Sequence, residues 1–441
     1  MMQLPPQVEK ALSLLQASGI EAFVVGGAVR DALRGAAPKD WDLAVQAPPQ
    51  AVAEVFRPYR LIETGLKHGT VTVLMDHLPL EITSYRAAEG EPLTLETDLA
   101  HRDFTLNAMA WHPSTGLIDP FGGAADLADG VLRCVGNPQE RFQEDGLRIL
   151  RALRFASVFQ LKIHPDSLKA LLENRALLAD IAPERIRNEL SQLLCGADAK
   201  AVLLSMPQVL GVFLPELLPM VGFEQHNIHH DKDVWAHTAA VVAAIPPQPV
   251  LRWAALLHDV GKPACYFMGE DGQGHFYGHG QQSADMADAI LLRLRFDNAT
   301  RERIVQLIRR HDYPIQPAPK PVKRLLNLLG EEGLRQLLAL HRADTLGQSA
   351  LCAGRMAQYD QVEDILEQLL AQNACFSLRD LAINGNDLIS LGFRGPQIGQ
   401  TLTACLNAVM DETIPNKKTA LLAFVQSHAP APLPHSQPNP E

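Results

Sequence analysis

The sequence predicts a small α/β domain at the N-terminus, built on a mixed sheet with flanking helices, followed by an all-α remainder. Two observations support this fold class. Runs rich in apolar and β-branched residues alternate with helical patterns up to about residue 130. From about residue 137 onward only the helical periodicity continues.

The elements follow in chain order. An amphipathic helix is predicted within residues 1–20, where Val8, Leu12 and Leu15 recur at helical spacing. Strands are predicted at 22–25, 41–45, 70–75 and 78–83, and helices at 28–35 and 49–56. Pro- and Gly-rich segments are expected to break the later helices at 206–223, 246–249, 261–280 and 312–321.

Composition limits the classes of protein that fit. The 441 residues suffice for about two to four domains. A net charge of −11 argues weakly against a nucleic-acid binder held by bulk electrostatics. Arg and Lys nevertheless cluster at 141–154, 185–187 and 293–324, so a basic face stays open.

Cellular location is also constrained. The N-terminus shows no signal peptide, and no apolar run reaches the roughly 18 residues that span a bilayer. The six cysteines form no Cys-x-x-Cys pair, a pattern typical of reduced thiols. We therefore expect a cytoplasmic protein with no membrane partner, and the sequence leaves a homodimer open.

The most informative stretch contains a Gly-Gly turn and two aspartates. A β-branched strand leads into Gly26-Gly27 and a helix start, so free backbone N–H groups can face an anion. Arg30 lies on the first helical turn, where its guanidinium suits a phosphate. Asp40 and Asp42 are one residue apart, which places both carboxylates on one face of a strand. This combination predicts Mg²⁺-assisted handling of a nucleoside triphosphate.

Glu81 is a third acidic candidate. It lies on a predicted strand otherwise suited to burial, where a carboxylate is costly unless it is paired or metal-bound. The alternative is a solvated position at the edge of the strand.

The order Gly-Gly-x-Val-Arg-Asp followed by Asp-x-Asp resembles the head of the class II tRNA nucleotidyltransferase and bacterial poly(A) polymerase superfamily. Residues 101–110 and 119–123 resemble the second and third motifs of that superfamily. The resemblance implies a nucleotidyltransferase head in which Asp40 and Asp42 are catalytic, with Glu81 as the candidate third catalytic carboxylate. Nucleotide binding is implied for Gly26, Gly27, Arg30, Asp31, Arg102, Asp103 and Asn107. His101 replaces the usual first Arg of the second motif, which would weaken a phosphate contact there.

Residues 144–155 are predicted to form a helix that makes Asp145 and Arg148 neighbours on one face. A carboxylate accepts from the amino group of cytosine or adenine, and a guanidinium donates to the adjacent ring nitrogen. Uracil and guanine mismatch both side chains. The alternative is a solvated ion pair on the helix. The segment resembles the family's base-reading motif, which implies that Arg151 and Arg154 complete the nucleotide site.

The loop at residues 87–94 is shorter than its counterpart in the family. In the family this loop is implicated in switching the pocket from C to A. A shortened loop resembles enzymes that add only the two cytidines. The alternative is a harmless deletion, since surface loops tolerate changes of length.

A second cluster follows the order of an HD-superfamily metal site. The candidate ligands are His237, His258, Asp259 and Asp344, a set of imidazoles and carboxylates that suits a divalent transition metal. Adjacent residues on a helix diverge by about 100°, so neighbouring helices must close such a site. His279 and His311 follow at later positions. The resemblance leaves open whether this domain hydrolyses phosphoesters or is structural.

These features together predict a chain of five regions. They are a head at 1–130, a helical neck at 131–220, an HD domain at 221–345, a helical tRNA-binding tail at 346–427 and a disordered Pro-rich segment at 428–441. In the tail, Arg394 and Lys417-Lys418 would contact the tRNA elbow by shape and phosphate contacts.

The resemblance implies an enzyme that adds the 3′-terminal CCA to tRNA from CTP and ATP, with Mg²⁺ on Asp40 and Asp42 and no nucleic-acid template. A CC-adding enzyme is the first alternative, because of the short loop. An HD phosphohydrolase whose head binds RNA is the second. A poly(A) polymerase is disfavoured, since residues 65–71 lack the arginine-rich, Phe-containing segment expected after the aspartates.

Overall fold

The computed structural model describes residues 2–62, 65–66, 69–270 and 272–428. Within these residues no helix is both long enough and apolar enough to cross a membrane. The Pro-rich segment predicted at 428–441 lies outside the described residues apart from His428. Lys67 and His68, part of the stretch that disfavours a poly(A) polymerase, also lie outside them.

The chain divides into two compact units, Met1–Pro215 and Glu216–Glu441. The finer division into five regions stays a prediction. The strands of the first unit are β1 (Ala22–Val25), β2 (Trp41–Val45), β3 (Arg60–Ile62), β4 (Thr70–Met75), β5 (Leu78–Ser84), β6 (Ala110–His112), β7 (Gly116–Ile118), β8 (Val131–Leu132) and β9 (Lys162–Ile163). Its helices are α1 (Pro6–Ala17), α2 (Gly27–Leu33), α3 (Pro49–Val55), α4 (Leu95–Ala100), α5 (Gly123–Ala128), α6 (Pro138–Glu144), α7 (Leu147–Phe159), α8 (Pro165–Asn174), α9 (Pro183–Leu194), α10 (Ala199–Ser205) and α11 (Pro207–Leu210), with 3-10 turns at Thr105–Asn107 and Arg175–Asp180.

The first unit contains a mixed seven-stranded sheet with the strand order β3-β4-β5-β2-β1-β6-β7. The central strands β2 and β5 are parallel, whereas β1 pairs antiparallel with β2. The β2–β5 register sets Asp42 opposite Glu81. Helix α1 covers the sheet with its apolar face, which includes the fully buried Val8 and Leu15. The predicted alternation of strands and helices in the head is confirmed.

The second unit is mostly helical. Its helices are α12 (Val234–Ala244), α13 (Pro249–Leu257), α14 (Lys262–Cys265), α15 (His279–Arg293), α16 (Asn298–Arg310), α17 (Pro319–Gly347), α18 (Arg355–Ala371), α19 (Gly385–Ser390), α20 (Pro396–Met410) and α21 (Lys418–His428), with 3-10 turns at Pro215–Met220, Ala350–Cys352 and Leu378–Asp380. A two-stranded hairpin, β10 (Phe267–Met268) with β11 (Gly274–His275), joins α14 to α15.

The predicted helical class of the remainder is confirmed, and it also contains the short strand β9 and the β10–β11 hairpin. Two expectations are corrected. The helix predicted over 144–155 is two helices, because Asp145 is extended and its side chain accepts from the N–H of Leu147 at the start of α7. Helix α17 begins inside the break predicted at 312–321 and is interrupted instead at Gly330, whose φ of 70° is not helical.

Candidate functional sites

A polar cavity of about 510 Å³ lies in the first unit between the sheet and the helices that follow it. It is lined by Gly26, Gly27, Arg30, Asp40, Asp42, Arg86, His101, Arg102, Asp103, Asn107, Asp145, Leu147, Arg148, Arg151, Arg154, Phe155 and Arg185. Seven arginines outnumber four aspartates in this lining, so the cavity attracts a polyanion although the whole chain is acidic.

Twelve of the fourteen head and neck residues predicted for the site line this cavity, and Asp31 and Glu81 do not. Asp31 accepts from Arg30 Nε at 2.9 Å, so it orients a lining residue. Glu81 is exposed on β5 beside Asp42 and acts on it through charge. Sequence analysis did not predict Arg86 and Arg185 as site residues, although Arg185 lies in the basic run at 185–187; both line the cavity.

The Gly-Gly turn permits a close approach of an arginine. Gly26 has a φ of 69°, a conformation that L side chains rarely adopt. A Cβ at this position would lie 2.9 Å from a guanidinium nitrogen of Arg102. Arg102 is held in turn by Asp98, at 3.0 Å between Nη2 and Oδ2. The absence of a side chain at Gly26 therefore leaves space for the guanidinium group of Arg102 beside the turn.

The surroundings of Asp42 favour its protonated form. Burial, followed by the negative charge of Glu81, raises the pKa of Asp42 from 3.8 to about 6, and the charge of Arg102 opposes the shift. Asp40 lies two residues away and also lines the cavity. A carboxylate that resists ionisation without a counter-charge fits a divalent cation, because the cation supplies the missing positive charge.

Asp103 joins the sheet side of the cavity to α7. Its Oδ2 accepts from Arg151 at 2.6 and 2.8 Å, and its Oδ1 accepts from the side chain of Asn107 at 2.9 Å. Asn107 accepts from Arg30 at 2.7 Å. Burial disfavours the ionised form of Asp103, but the charge of Arg151 and the hydrogen bonds from Asn107, Arg151 and the Phe104 backbone together outweigh it and hold the pKa of Asp103 below its usual value. Arg154 is fixed separately, by Glu189 of α9.

The same wall carries stacked aromatic rings. Phe155 and Phe159 of α7 stack with centroids 5.6 Å apart and an interplanar angle of 14°. The guanidinium carbons of Arg30 and Arg34, both on or next to α2, lie 4.6 and 4.2 Å from the Phe159 centroid. Such cation–π contacts orient a guanidinium through its flat face and leave its N–H donors to hydrogen bonds, which Arg30 makes with Asp31 and Asn107.

Asp145 and Arg148 both reach the cavity, but they are not paired through their side chains. Asp145 Oδ2 accepts from Arg185 at 2.9 Å. Arg148 donates through Nη1 to Glu144 at 2.6 Å and to the Arg141 carbonyl, and through Nη2 to the His101 carbonyl. Among the described residues, two of its five N–H donors keep no partner. The predicted helical i,i+3 pair is therefore wrong in its geometry, although both groups face one cavity.

The short loop at 87–94 has its own contact with the cavity. Glu91 pairs with His101 Nε2 at 2.7 Å, and its other bond is to the backbone N–H of Ala88. The hydrogen bond from His101, followed by that from Ala88, lowers the pKa of Glu91. His101, which lines the cavity, is thus engaged by the loop at 87–94.

The second unit gathers the predicted HD residues. His237 Nε2 lies 2.9 Å from Asp344 Oδ1 and 3.3 Å from His258 Nε2, and His258 lies 3.1 Å from Asp259 Oδ2. In the described residues, two triads have ligand atoms within 4.8 Å of one another: His237, His258 and Asp344; His258, Asp259 and His311.

The other oxygen of Asp259 faces two further histidines. Its Oδ1 lies 3.4 Å from His279 Nε2 and 3.5 Å from His311 Nε2, and those two nitrogens are 3.2 Å apart. The Nδ1 atoms of His258, His279 and His311 each bond a backbone carbonyl at 2.7–2.8 Å, which leaves every Nε2 aimed at the cluster centre. Four imidazoles and two carboxylates fit a divalent transition metal. His279 and His311 extend the predicted ligand set.

Comparison with known proteins agrees with this arrangement. Residues 22–133 match the model of the "Poly A polymerase head domain", residues 160–220 match the "Probable RNA and SrmB-binding site of polymerase A", and residues 281–425 match "tRNA nucleotidyltransferase domain 2 putative". The fold and the polyanion cavity thus define a nucleotidyltransferase head followed by helical domains.

Full-length relatives narrow the class. A CCA-adding enzyme of Lactiplantibacillus plantarum is 32% identical over 440 residues, covering 96% of this chain and 97% of that protein. One of Bacillus velezensis is 30% identical and covers 95% and 98%. The crystal structure of the Bacillus stearothermophilus CCA-adding enzyme in complex with CTP matches with a TM-score of 0.75 at 27% identity, covering 96% of this chain and 98% of that chain. The chain belongs to the family of CCA-adding enzymes.

Proposed function

We propose that this protein adds the 3′-terminal CCA to tRNA from CTP and ATP without a nucleic-acid template. The observation that carries the proposal is the single cavity in which Asp40 and Asp42 share one space with seven arginines and with Asp145 and Arg148. Acidic ligands, a triphosphate-binding lining and complementary base-edge groups are the parts that template-free nucleotide addition needs.

Asp40 and Asp42 would hold Mg²⁺, which supplies charge neutralisation for the triphosphate and activation of the attacking hydroxyl. The 3′-hydroxyl oxygen of the tRNA forms the new P–O bond to the α-phosphate, and pyrophosphate leaves. Arg30 and Arg102 face the cavity and bind the leaving phosphates. The bonds from Arg30 to Asn107 and from Arg102 to Asp98 fix both guanidinium groups before the nucleotide arrives.

Asp145 and Arg148 would select the base. Asp145 retains acceptor capacity beyond its two bonds, since a carboxylate has about four lone-pair positions. Arg148 retains two donors among the described residues. Cytosine and adenine offer one amino donor and one ring-nitrogen acceptor to this pair, whereas uracil and guanine leave both protein groups unmatched. Arg151 and Arg154 would complete the pocket wall.

The direct test offers a tRNA transcript lacking its CCA end with labelled CTP and ATP, separately and together. We expect two cytidines with CTP alone and a terminal adenosine only when both are present. Asp42→Ala should abolish addition and keep tRNA binding. Asp129→Ala, at an exposed aspartate outside the cavity, should leave both addition and tRNA binding unchanged. Addition that stops at two cytidines would establish the CC-adding alternative and assign its cause to the 87–94 loop. Equal addition by Asp42→Ala would exclude Asp42 as a metal ligand.

The histidine cluster supports a second activity in the same chain, a metal-dependent phosphohydrolase. His237, His258, Asp259 and Asp344, with His279 and His311, would hold a divalent transition metal. Metal analysis of the purified protein tests this directly: wild type and Asp42→Ala should retain equal transition metal after dialysis, and His258→Ala should lose it. Phosphoester hydrolysis should likewise be equal in wild type and Asp42→Ala and lost in His258→Ala. A wild-type protein free of metal after loading would refute the centre.

Further features of the prediction also stay proposals. The tail helices, with Arg394, Lys417 and Lys418, would contact the tRNA elbow by phosphate charge and shape. Lys418 is paired with Asp387, which fixes it on the surface of the tail. We place the protein in the cytoplasm, where reduced thiols are stable, consistent with six free cysteines. A homodimer stays a prediction.

A further inference from the structure

Three aromatic rings stand together on the β10–β11 hairpin and the turn after it. Phe267 and His275 stack with centroids 5.4 Å apart and an angle of 27°, and His275 and Tyr277 stack at 5.4 Å and 17°. Phe267 and Tyr277 complete the triangle at 5.5 Å. Tyr277 is 75% exposed and Phe267 45%, so this ring triangle presents apolar π-faces to solvent. Exposed, near-parallel rings on a short hairpin do not add to the core of the unit.

The ring triangle shares a cleft with the histidine cluster. His275 and Tyr277 line a cleft of about 280 Å³ whose lining also includes Asp259, Lys262 and His311. Two residues after Tyr277, His279 Nδ1 bonds the carbonyl of Phe276, the residue just before Tyr277, at 2.8 Å. The turn that aims a cluster histidine therefore also carries the outermost ring of the triangle.

The cleft is lined by two chemically different kinds of group. One is the cluster with the Lys262 ammonium, which is only 5% exposed and is held by Asp259 at 2.8 Å and Gln225 at 2.9 Å. The other is the pair of aromatic rings of His275 and Tyr277. A ligand that engages both kinds of group has an anionic group and a planar ring. The volume is at the lower limit for small-molecule sites, which favours one nucleotide unit over a longer chain.

We propose that Phe267, His275 and Tyr277 form a base-stacking surface that makes a nucleoside phosphate the substrate of the histidine cluster. The inference rests on the proposed phosphohydrolase function. In the step it serves, water supplies the oxygen of the new P–O bond, the ester P–O bond breaks, and the departing ribose oxygen takes a proton. The base does not react; stacking fixes the distance from the ribose to the cluster.

Stacking is measured first by binding. The probe is 2-aminopurine riboside monophosphate, whose fluorescence is quenched when the base stacks, titrated into the full-length protein with and without Mn²⁺. We expect Tyr277→Ala to weaken the quenching component assigned to this cleft about 5- to 150-fold, the range for one base on aromatic side chains. Tyr277→Phe keeps the ring and should bind like wild type. Met268→Ala, 51% exposed on the same hairpin but outside the triangle, is the matched control.

Hydrolysis gives the second readout. The kcat/KM for adenosine 5′-monophosphate is divided by that for ribose 5-phosphate, which has the same ester and no base. The ratio should fall about 5- to 150-fold in Tyr277→Ala and stay unchanged in Met268→Ala. A free mononucleotide and the end of an RNA share this chemistry, so a short RNA with a 3′-phosphate is compared with adenosine 3′-monophosphate; the better substrate identifies the source.

The outcomes separate the two proposals. Suppose that the protein binds metal and hydrolyses the phosphoester, but that wild type and Tyr277→Ala show the same kcat/KM ratio and the same quenching. This result would overturn the stacking surface and keep the phosphohydrolase. Absence of metal and of hydrolysis, with quenching still lost in Tyr277→Ala, would keep the surface and overturn the phosphohydrolase. CCA addition by Tyr277→Ala at the wild-type rate serves as the folding control, since Tyr277 lies outside the head cavity.

Discussion

The Asp42→Asn substitution is expected to stabilise the metal-free head while abolishing nucleotide addition. Burial and the neighbouring Glu81 raise the pKa of Asp42 from 3.8 to about 6, so its ionised form is disfavoured in the folded chain. Each pKa unit corresponds to about 1.4 kcal/mol. A shift of about two units gives up to about 3 kcal/mol, and residual solvent access reduces the expected gain to about 1–3 kcal/mol at pH 7.

The pH dependence gives this prediction its sign. Between pH 4 and 6 the folded state binds more protons at Asp42 than the unfolded state, so wild-type stability falls as the pH rises through this window. Asparagine carries no charge, and its contribution stays constant. The stability difference between Asp42→Asn and wild type should therefore be near zero at pH 4, grow through the window and level off above about pH 6.

Hydrogen exchange of peptides from β1 and β2, measured in EDTA across this pH range, reports the stability of the head within the full chain. The exposed Asp129→Asn is the matched control and should show no growth with pH. Mg²⁺ should protect wild type and not Asp42→Asn, because only the carboxylate binds it. A less stable Asp42→Asn at pH 7, or a difference that does not change with pH, would refute the electrostatic account of this site.

Three further outcomes are expected. Phe159→Leu removes the ring beneath Arg30 and should raise the KM for CTP about 3- to 20-fold with less change in kcat. Phe159→Tyr keeps a ring and should leave the KM unchanged. Steady-state kinetics on a tRNA lacking CCA measures both constants, and a loss of kcat alone would contradict the prediction. Arg185→Ala removes the hydrogen-bond partner of Asp145 and should lower the ratio of kcat/KM for CTP to that for UTP about 5- to 30-fold. Stability should change little, since the pair is half exposed. An unchanged ratio would show that Arg185 does not contribute to base selection. Chelation should lower the thermal midpoint of the second unit in wild type and less in His279→Ala, as followed by calorimetry with metal analysis; equal metal content in both proteins would remove His279 from the ligand set.

Much of the head followed from local sequence. The strands at 22–25, 41–45 and 70–75 have the predicted bounds, because β-branched runs bounded by Gly and Asp specify strands without help from distant residues. The Gly-Gly turn and the Asp-x-Asp pair predicted the site for the same reason, since each motif consists of residues close together in the sequence.

Contacts between distant residues were beyond such reasoning. Arg185 reaches Asp145 across 40 residues, and that contact forms only when α9 packs on α7. The helix predicted over 144–155 failed because periodicity does not reveal that an aspartate will cap a helix from outside it. The β10–β11 hairpin was missed because its strands have two residues each, too few for an alternating pattern.

The stacking of Arg30 and Arg34 on Phe159 has a consequence for any exchange of parts between members of this family. Arg30 and Arg34 lie on or next to α2, whereas the ring that supports them lies on α7, so a graft cut at residue 130 would transfer both arginines without that ring. A recombination point after residue 159 would transfer the sheet, the Gly-Gly turn and helix α7 together. The smallest transferable piece of this enzyme is therefore larger than its α/β sheet.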